Sequence, residues 1–166
     1  ASVDTGAEAS AREPLATHAF GAQFVEVHVD ADTCEVRVAR ALGVFAAGRI
    51  LNPKTARSQL IGGMTMGIGM ALLEESRMDP EFGDYLNHDL AQYHVPVNAD
   101  LPDVEAVWLE EDDPHVNPFG AKGIGEIGIV GTAAAVGNAV FHATGHRFRR
   151  LPIRVDAVRE ALRGWR

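Results

Sequence analysis

The chain has 166 residues, of which 46% are apolar and 23% charged, and its formal net charge is −8. This length predicts one domain with a buried core. A single cysteine, Cys34, excludes an intrachain disulfide framework and any cysteine-clustered zinc or iron–sulfur site. The negative charge disfavours nucleic acid as a partner. No window approaches about 18 uncharged apolar residues, so we expect no membrane span.

Charge is distributed unevenly along the chain. Residues 74–113 hold 13 acids and one base, Arg77, whereas residues 147–166 hold seven arginines and two acids. Such runs are typical of two solvated surfaces of opposite sign, and they also suit surfaces that face a partner. The sequence leaves both interpretations open.

The first 19 residues are small, polar and aperiodic, so we expect a flexible leader or a truncated segment over 1–19, followed by the domain over 20–166. Residues 20–30 and 35–45 alternate apolar and polar side chains, and turn residues lie between them. This pattern predicts a β-hairpin in which Phe24, Val27 and Val29 point inward. Cys34 lies in the turn, where glycine would adopt a positive φ more easily.

Asn52 and Pro53 have the chemistry of a helix start, an N-cap residue followed by proline at the first helical position. The segment 54–76 after them predicts a long helix with four glycines, Gly62, Gly63, Gly67 and Gly69. Each glycine costs an exposed helix about 1 kcal/mol relative to alanine. We therefore expect another helix or a ligand to approach this backbone closely.

The second half of the chain alternates loops with regular elements. Residues 76–103 predict a long loop and residues 104–110 a strand. After a second loop, residues 127–144 predict a buried helix capped by Gly145, and residues 155–162 predict a last amphipathic helix. The predicted fold class is α+β: a β-hairpin-bearing sheet packed with a long glycine-containing helix and a second helix entered through a glycine-rich loop.

The glycine-rich loop contains GIGEIG at 123–128, a literal GxGxxG. A dinucleotide-binding fold needs a strand before this motif and an acid about 20 residues after it. A proline-broken loop precedes the motif instead, and no acid occurs between Glu126 and Asp156. The free backbone N–H groups of such a loop suit an anionic or oxygen-rich ligand.

Glu126 is the strongest catalytic candidate on physical grounds. It is a carboxylate among apolar residues such as Ile124 and Ile127, beside a flexible backbone, which is typical of a general base. A first-turn glutamate that only complements the helix dipole has the same context, so both interpretations stay open. His142 and His146 are four residues apart but lack the surroundings of a zinc site, so we predict no metal ligands.

Two blocks of sequence carry a resemblance. The first contains RILNPKT at 49–55, Gln59, the glycines at 62–63 and 67–69, and LLEE at 72–75. The second is GAKGIGE at 120–126 with the small-residue helix after it and Leu151-Pro152. In this order they resemble the C-terminal end of the molybdenum-binding large subunit of the xanthine oxidase/aldehyde oxidoreductase family. The resemblance implies that the chain is part of a larger molybdenum cofactor-binding domain.

The resemblance also implies site residues. Glu126 would be the catalytic base, and molybdenum-molybdopterin cytosine dinucleotide would be bound by Arg49, Ile50, Leu51, Asn52, Pro53, Lys54, Thr55, Gln59, Lys122, Gly123, Ile124 and Gly125. Glycine backbone N–H groups and the cations Arg49 and Lys122 suit an oxygen-rich, anionic cofactor.

The implied reaction oxidises an aldehyde or hydroxylates a heteroaromatic compound, with water as the oxygen source. Electrons would pass to iron–sulfur clusters on a [2Fe–2S] subunit and to FAD on another subunit. The remainder of the molybdenum subunit would be a further partner. Because that subunit is several hundred residues long in the family, we expect the chain to be inactive alone. The alternative is a non-catalytic interaction module that retains the fold.

Overall fold

The computed structural model describes residues 15–101 and 103–163. Within these ranges the chain forms a three-stranded sheet and four helices, the α+β arrangement that the sequence predicts. The leader expected over 1–19 lies, for its first 14 positions, outside the described residues. In chain order the elements are β1 (Phe20–Val29), β2 (Val36–Ala46), α1 (Pro53–Leu72), β3 (Val104–Trp108), α2 (Ile127–Val130), α3 (Thr132–Thr144) and α4 (Val155–Leu162).

The strand order is β1-β2-β3, with β1 and β2 antiparallel and β2 and β3 parallel. Helix α1 and the long loop after it make the crossover between the two parallel strands. Residues 73–101 of that loop contain no helix or strand, which confirms the predicted loop over its described part. The core lies between the sheet and the helices, and its largest fully buried side chains are Phe45, Leu60, Met64, Ile68, Val136, Val140 and Val158.

The hairpin forms as predicted, but the inward face of β1 is a different one. The partly buried residues are Gln23, Val25, Val27 and Val29, whereas Phe24 is 59% exposed. The prediction for Phe24 is wrong because successive side chains of a strand point to opposite faces, so Phe24 cannot share a face with Val27. The inward set therefore includes a polar residue, Gln23.

The hairpin turn is built by its own polar atoms. The Asp30 carboxylate accepts hydrogen bonds from the backbone N–H groups of Asp32 and Thr33, at 2.9 and 2.7 Å. These bonds hold the pKa of Asp30 below its usual value. Cys34 has a φ of 62°, which lies in the left-handed region, and the residue is buried.

Helix α1 begins where the sequence predicts. The Asn52 side chain accepts from the N–H groups of Lys54 and Thr55, and Pro53 is the first helical residue. Three of its glycines are approached closely by another part of the chain. At Gly69 the neighbour is Pro96, 2.8 Å from a Cβ built there. A Cβ on Gly63 would lie 2.9 Å from the backbone nitrogen of Ile129, and one on Gly67 would lie 2.6 Å from Thr132.

Residues 127–144 form two helices rather than the single helix predicted, with an interruption at Gly131. The Gln23 amide donates to the carbonyl oxygens of Ile127 and Gly128, at 3.3 and 2.8 Å. In an unbroken helix the Ile127 carbonyl would accept from the N–H of Gly131. Competition for this carbonyl and the weak helix propensity of glycine account for the break. The predicted cap is present, since Gly145 has a φ of 69°.

By length and composition alone, the stretch Ile127–Thr144 is apolar enough to cross a membrane. The prediction that no stretch of the sequence approaches the length and apolarity of a membrane span is therefore wrong. The buried side chains of α3 include Thr132, Val136 and Val140, and the helix packs against β1 and α1. Such a stretch is also typical of a core helix in a folded domain. It is therefore weak support for a span.

The glycines of α1 give a matched stability test. Gly62→Ala should raise the free energy of unfolding by about 1 kcal/mol, because nothing lies within 4 Å of the added Cβ and alanine favours the helix. Gly63→Ala should lower it by about 1–3 kcal/mol, because its Cβ meets the α2 backbone. Urea unfolding of both variants measures the difference, and equal effects at the two positions would contradict the packing described.

Candidate functional site

The structure brings the two sequence blocks together. Gly48 and Ala121 form an isolated antiparallel bridge between the end of β2 and the glycine-rich loop. The Arg49 N–H donates to the Gly120 carbonyl at 2.8 Å, and the Lys122 N–H donates to the Ala47 carbonyl at 3.0 Å. The segments that begin the two motifs are therefore neighbours in space, although about 70 residues separate them in the chain.

Glycine is required on both sides of this bridge. Gly48 has a φ of 65° and Gly120 a φ of 68°, conformations that residues with a side chain rarely adopt. A Cβ on Gly48 would also collide with the carbonyl oxygen of Gly120. The close approach of the two segments therefore depends on the absence of a side chain at position 48.

The Glu111 carboxylate links the two segments of this bridge. One oxygen of Glu111 accepts from the Gly48 N–H at 2.7 Å, and the other accepts from the Lys122 ammonium at 2.6 Å. The same ammonium lies 3.1 Å from a carboxylate oxygen of Asp113. The Lys122 side chain is only 7% exposed, so these ion pairs are shielded from solvent more than a surface pair is.

These contacts shift the pKa values of Glu111, Asp113 and Lys122. The hydrogen bonds from Lys122 and from the Gly48 N–H lower the pKa of Glu111, and those from Lys122 and from the His115 N–H lower the pKa of Asp113. The hydrogen bond to Glu111 raises the pKa of Lys122. All three groups are therefore charged at neutral pH, and the Lys122 ammonium is occupied by protein carboxylates.

The sequence interpretation did not find Glu111 and Asp113. The sequence signal for these two residues is the run of four acids at 110–113. This run also belongs to the acidic stretch 74–113, which by itself predicts only a charged surface. Arg49, the second cation expected at the cofactor, lines a small cleft with Glu110, Glu111 and Asp112. Acidic neighbours therefore offset part of the positive charge of both cations.

The other residues of the first block lie at or near the start of α1. The Asn52 side chain already accepts hydrogen bonds as the N-cap of α1. The Asn52 carbonyl also accepts from the Thr55 hydroxyl at 3.3 Å. The polar side chains of this segment are exposed, and so is Leu51, at 64%, whereas Ile50 is partly buried. The exposed polar residues are Arg49, Asn52, Lys54, Thr55 and Gln59.

Glu126 is the N-cap residue of α2, and its carbonyl accepts from the Ile129 N–H at 3.0 Å. Its side chain is exposed and makes no capping hydrogen bond. A helix of four residues offers only a short row of aligned peptide dipoles. The geometry therefore gives the carboxylate no hydrogen-bonded structural role within the described residues.

Glu126 lines an open cleft of about 650 Å³. Gly123 and Gly125 belong to the same wall, and nothing lies within 4 Å of a Cβ built on either glycine. Their backbone is therefore accessible to a group in the cleft. Ile124, between them, packs instead against the hydrophobic core. The remaining lining residues are Ala19, Phe20, Gly21, Gln23, Ile127, Val130 and Gly131.

The first turn after Glu126 lies directly on α1. A Cβ on Gly128 would lie 2.6 Å from the Leu60 carbonyl oxygen and 3.3 Å from the Cα of Gly63. Leu60 follows Gln59 in the chain, so the α1 turn that carries Gln59 lies beside the segment that carries Glu126. Both blocks thus meet in the packed contact between α1 and α2.

His142 and His146 do not line the cleft that contains Glu126. No group of three or more His, Cys, Asp or Glu side chains in the described part of the chain is placed to hold a metal ion. His146 packs edge-on against Phe148, with ring centroids 4.7 Å apart, and His142 lies in the last turn of α3. A positive charge at a helix C-terminus complements the dipole there.

Known proteins are similar to this chain in sequence and in fold. A family model described as molybdopterin cofactor-binding domain matches residues 3–102. The chain is 54% identical over 143 residues to the aldehyde oxidoreductase molybdenum-binding subunit PaoC of Escherichia coli, covering 86% of this chain and 20% of that protein. It is 42% identical over 147 residues to the putative xanthine dehydrogenase molybdenum-binding subunit XdhA of the same organism, covering 89% and 19%.

The fold agrees with these matches. The crystal structure of the aldehyde oxidoreductase from Desulfovibrio desulfuricans superposes with a TM-score of 0.76 at 31% identity, covering 86% of this chain and 15% of that one. The chain therefore spans about a fifth or less of the length of the proteins it matches. From the family match over residues 3–102 and these relatives, the chain belongs to the molybdopterin cofactor-binding domain of the xanthine oxidase/aldehyde oxidoreductase family.

Proposed function

We propose that the chain supplies the catalytic base and one wall of the cofactor site in a molybdenum hydroxylase. The observation that carries this proposal is the placement of Glu126. Its carboxylate is exposed on an open cleft, beside accessible glycine backbone, and makes no capping hydrogen bond. The substrates we propose are small aldehydes or heteroaromatic compounds.

The residues present fit an oxygen-rich, anionic cofactor. Space for a Cβ is open at Gly123 and Gly125, so a ligand can approach the backbone there without meeting a side chain. The exposed ends of Arg49 and Lys54 are suited to phosphate oxygens, and Thr55 and Gln59 offer further donors. The segment that presents these groups also contains Ile50, Leu51, Asn52 and Pro53, which shape its backbone. We propose the cytosine dinucleotide form of the cofactor, whose diphosphate these groups suit.

Lys122 contributes to this site through its position. Its ammonium is bound to Glu111 and Asp113, so it fixes the loop, and we propose that the open backbone at Gly123 and Gly125 contacts the cofactor. Arg49 and Lys54 remain the cations of the motif whose side chains are exposed. The proposed binding therefore relies on backbone N–H groups more than on the Lys122 charge.

Glu126 performs the proton transfer. When bound, the molybdenum cofactor supplies a Lewis acid and a two-electron acceptor. The Glu126 carboxylate takes a proton from the water that provides the oxygen atom, and an exposed carboxylate on a cleft wall can return that proton to solvent. We propose that electrons then pass to a [2Fe–2S] subunit and a FAD subunit. The remainder of the molybdenum subunit completes the cofactor and substrate walls.

Replacing the base tests the proposal. Glu126→Gln in the molybdenum-loaded holoenzyme should lower turnover by about 10⁴-fold or more, because general-base assistance is commonly worth about 10²–10⁴ and here it also generates the nucleophile. Molybdenum content should stay at the parent level, since the amide keeps the size of the carboxylate. If Glu126 only complements the dipole, the variant loses about 0.3–1 kcal/mol of stability and turns over normally.

Gly125→Val tests the cofactor-facing backbone. In the described chain the added side chain starts in open space, so the fold should be retained. Its bulk should lower the molybdenum content of the purified holoenzyme and, with it, the rate. Gly137→Val is the matched control, because position 137 also has nothing within 4 Å and does not line the cleft. Parent molybdenum content and activity in Gly125→Val would make the loop a structural turn only.

The ion pairs of Lys122 with Glu111 and Asp113 predict that the stability of the fold depends on pH. Because the pKa values of Glu111 and Asp113 are lowered by folding, their contribution to stability is present above the ordinary carboxyl range and is lost as the pH falls through it. The raised pKa of Lys122 keeps its contribution until strongly alkaline pH.

Glu111→Gln should therefore weaken hydrogen-exchange protection of residues 120–122 at pH 7, and it should reduce the further loss seen on acidification. Glu110→Gln is the control, because Glu110 is an exposed neighbour outside the contacts to Gly48 and Lys122. If the two variants are indistinguishable at pH 7, Glu111 does not hold the loop.

A further inference from the structure

Gln23 joins strand β1 to the first turn of α2. Its side-chain Nε2 donates to the Gly128 carbonyl at 2.8 Å and to the Ile127 carbonyl at 3.3 Å, across 105 and 104 residues of chain. These two carbonyls directly follow Glu126. The backbone that carries the Glu126 carboxylate is therefore held to the sheet by one side-chain amide.

The orientation of this amide leaves its other end unpaired. Gln23 Oε1 is buried and accepts no hydrogen bond from the residues that the structure describes. A buried acceptor without a donor is unfavourable. Turning the amide over would be worse, because it would place the oxygen against two carbonyl oxygens. The contacts of Nε2 with Ile127 and Gly128 therefore determine how the side chain lies.

Gly131 provides the space for this amide. A Cβ on Gly131 would lie 2.5 Å from Gln23 Oε1. Gly131 has φ −99° and ψ −12°, a conformation that any residue adopts. Glycine is therefore needed at 131 for the room it leaves to Gln23 rather than for its backbone freedom.

We infer that Gln23 is a positioning residue for Glu126: it fixes the first turn of α2 so that the carboxylate keeps its place on the cleft wall. Gln23 and Glu126 line the same cleft from β1 and from α2. The inference rests on the proposed role of Glu126 as the base. Gln23 itself takes no part in proton transfer.

The test is Gln23→Met in the molybdenum-loaded holoenzyme, because methionine keeps the length of the side chain and removes both donors. Hydrogen exchange of residues 126–132 should become faster, while molybdenum content stays at the parent level. kcat should fall by about 10–100-fold with a smaller change in KM, since a misplacement of about 1 Å can cost about 10²-fold. Glu26→Gln is the control, on the opposite, exposed face of β1.

If Gln23→Met fails to fold, Gly131→Ala tests the same point, because its Cβ displaces the amide without removing it. Parent exchange rates over 126–132 in a folded variant would overturn the inference, and so would faster exchange with an unchanged kcat. Glu126→Gln, measured in parallel, separates a failure of the positioning role from a failure of the proposed function. If Glu126→Gln is inactive, a silent Gln23 variant overturns the positioning role alone; if Glu126→Gln is active, the proposed function fails as well.

Discussion

The close contact between α1 and the segment after Glu126 is the constraint on which the site depends. Gly63 faces the backbone of Gly128 and Ile129, and Gly67 faces Thr132. With glycine on both sides, the two backbones meet without an intervening side chain. This contact sets the turn that carries Glu126 beside the α1 turn that follows Gln59. Any side chain added at 63 separates them.

The glycine-rich loop is held at both ends and open between them. At one end, backbone hydrogen bonds from Arg49 to Gly120 and from Lys122 to Ala47 hold residues 120–122, together with the ion pair between Lys122 and Glu111. At the other end, α1 and Gln23 hold the turn after Glu126. The open positions are Gly123 and Gly125. A loop fixed in this way presents its backbone N–H groups without having to become ordered when a ligand binds, which favours affinity.

Local features of the fold could be predicted from the sequence, because their causes are local. The Asn52 cap, the hairpin turn and the glycine cap of α3 each follow from a few adjacent residues. The partners of Lys122 and the interruption at Gly131 depend on residues distant in the chain. Gln23 was missed because Phe24 was placed on the inward face; the strict alternation of β1 would have shown a polar residue there. Both the residue chemistry around Glu126 and the resemblance of its motif predict that Glu126 is the base, and its exposure on a cleft came from the structure.

We propose that residues 49–55 and 122–126 form one cofactor-facing surface. Hydrogen exchange of the holoenzyme, compared with the same protein prepared without the molybdenum cofactor, tests this claim directly. We predict that both segments gain protection together when the cofactor is present, while residues 85–93, which line a separate cleft, do not change. Protection confined to 85–93, with no change in either segment, would contradict the account.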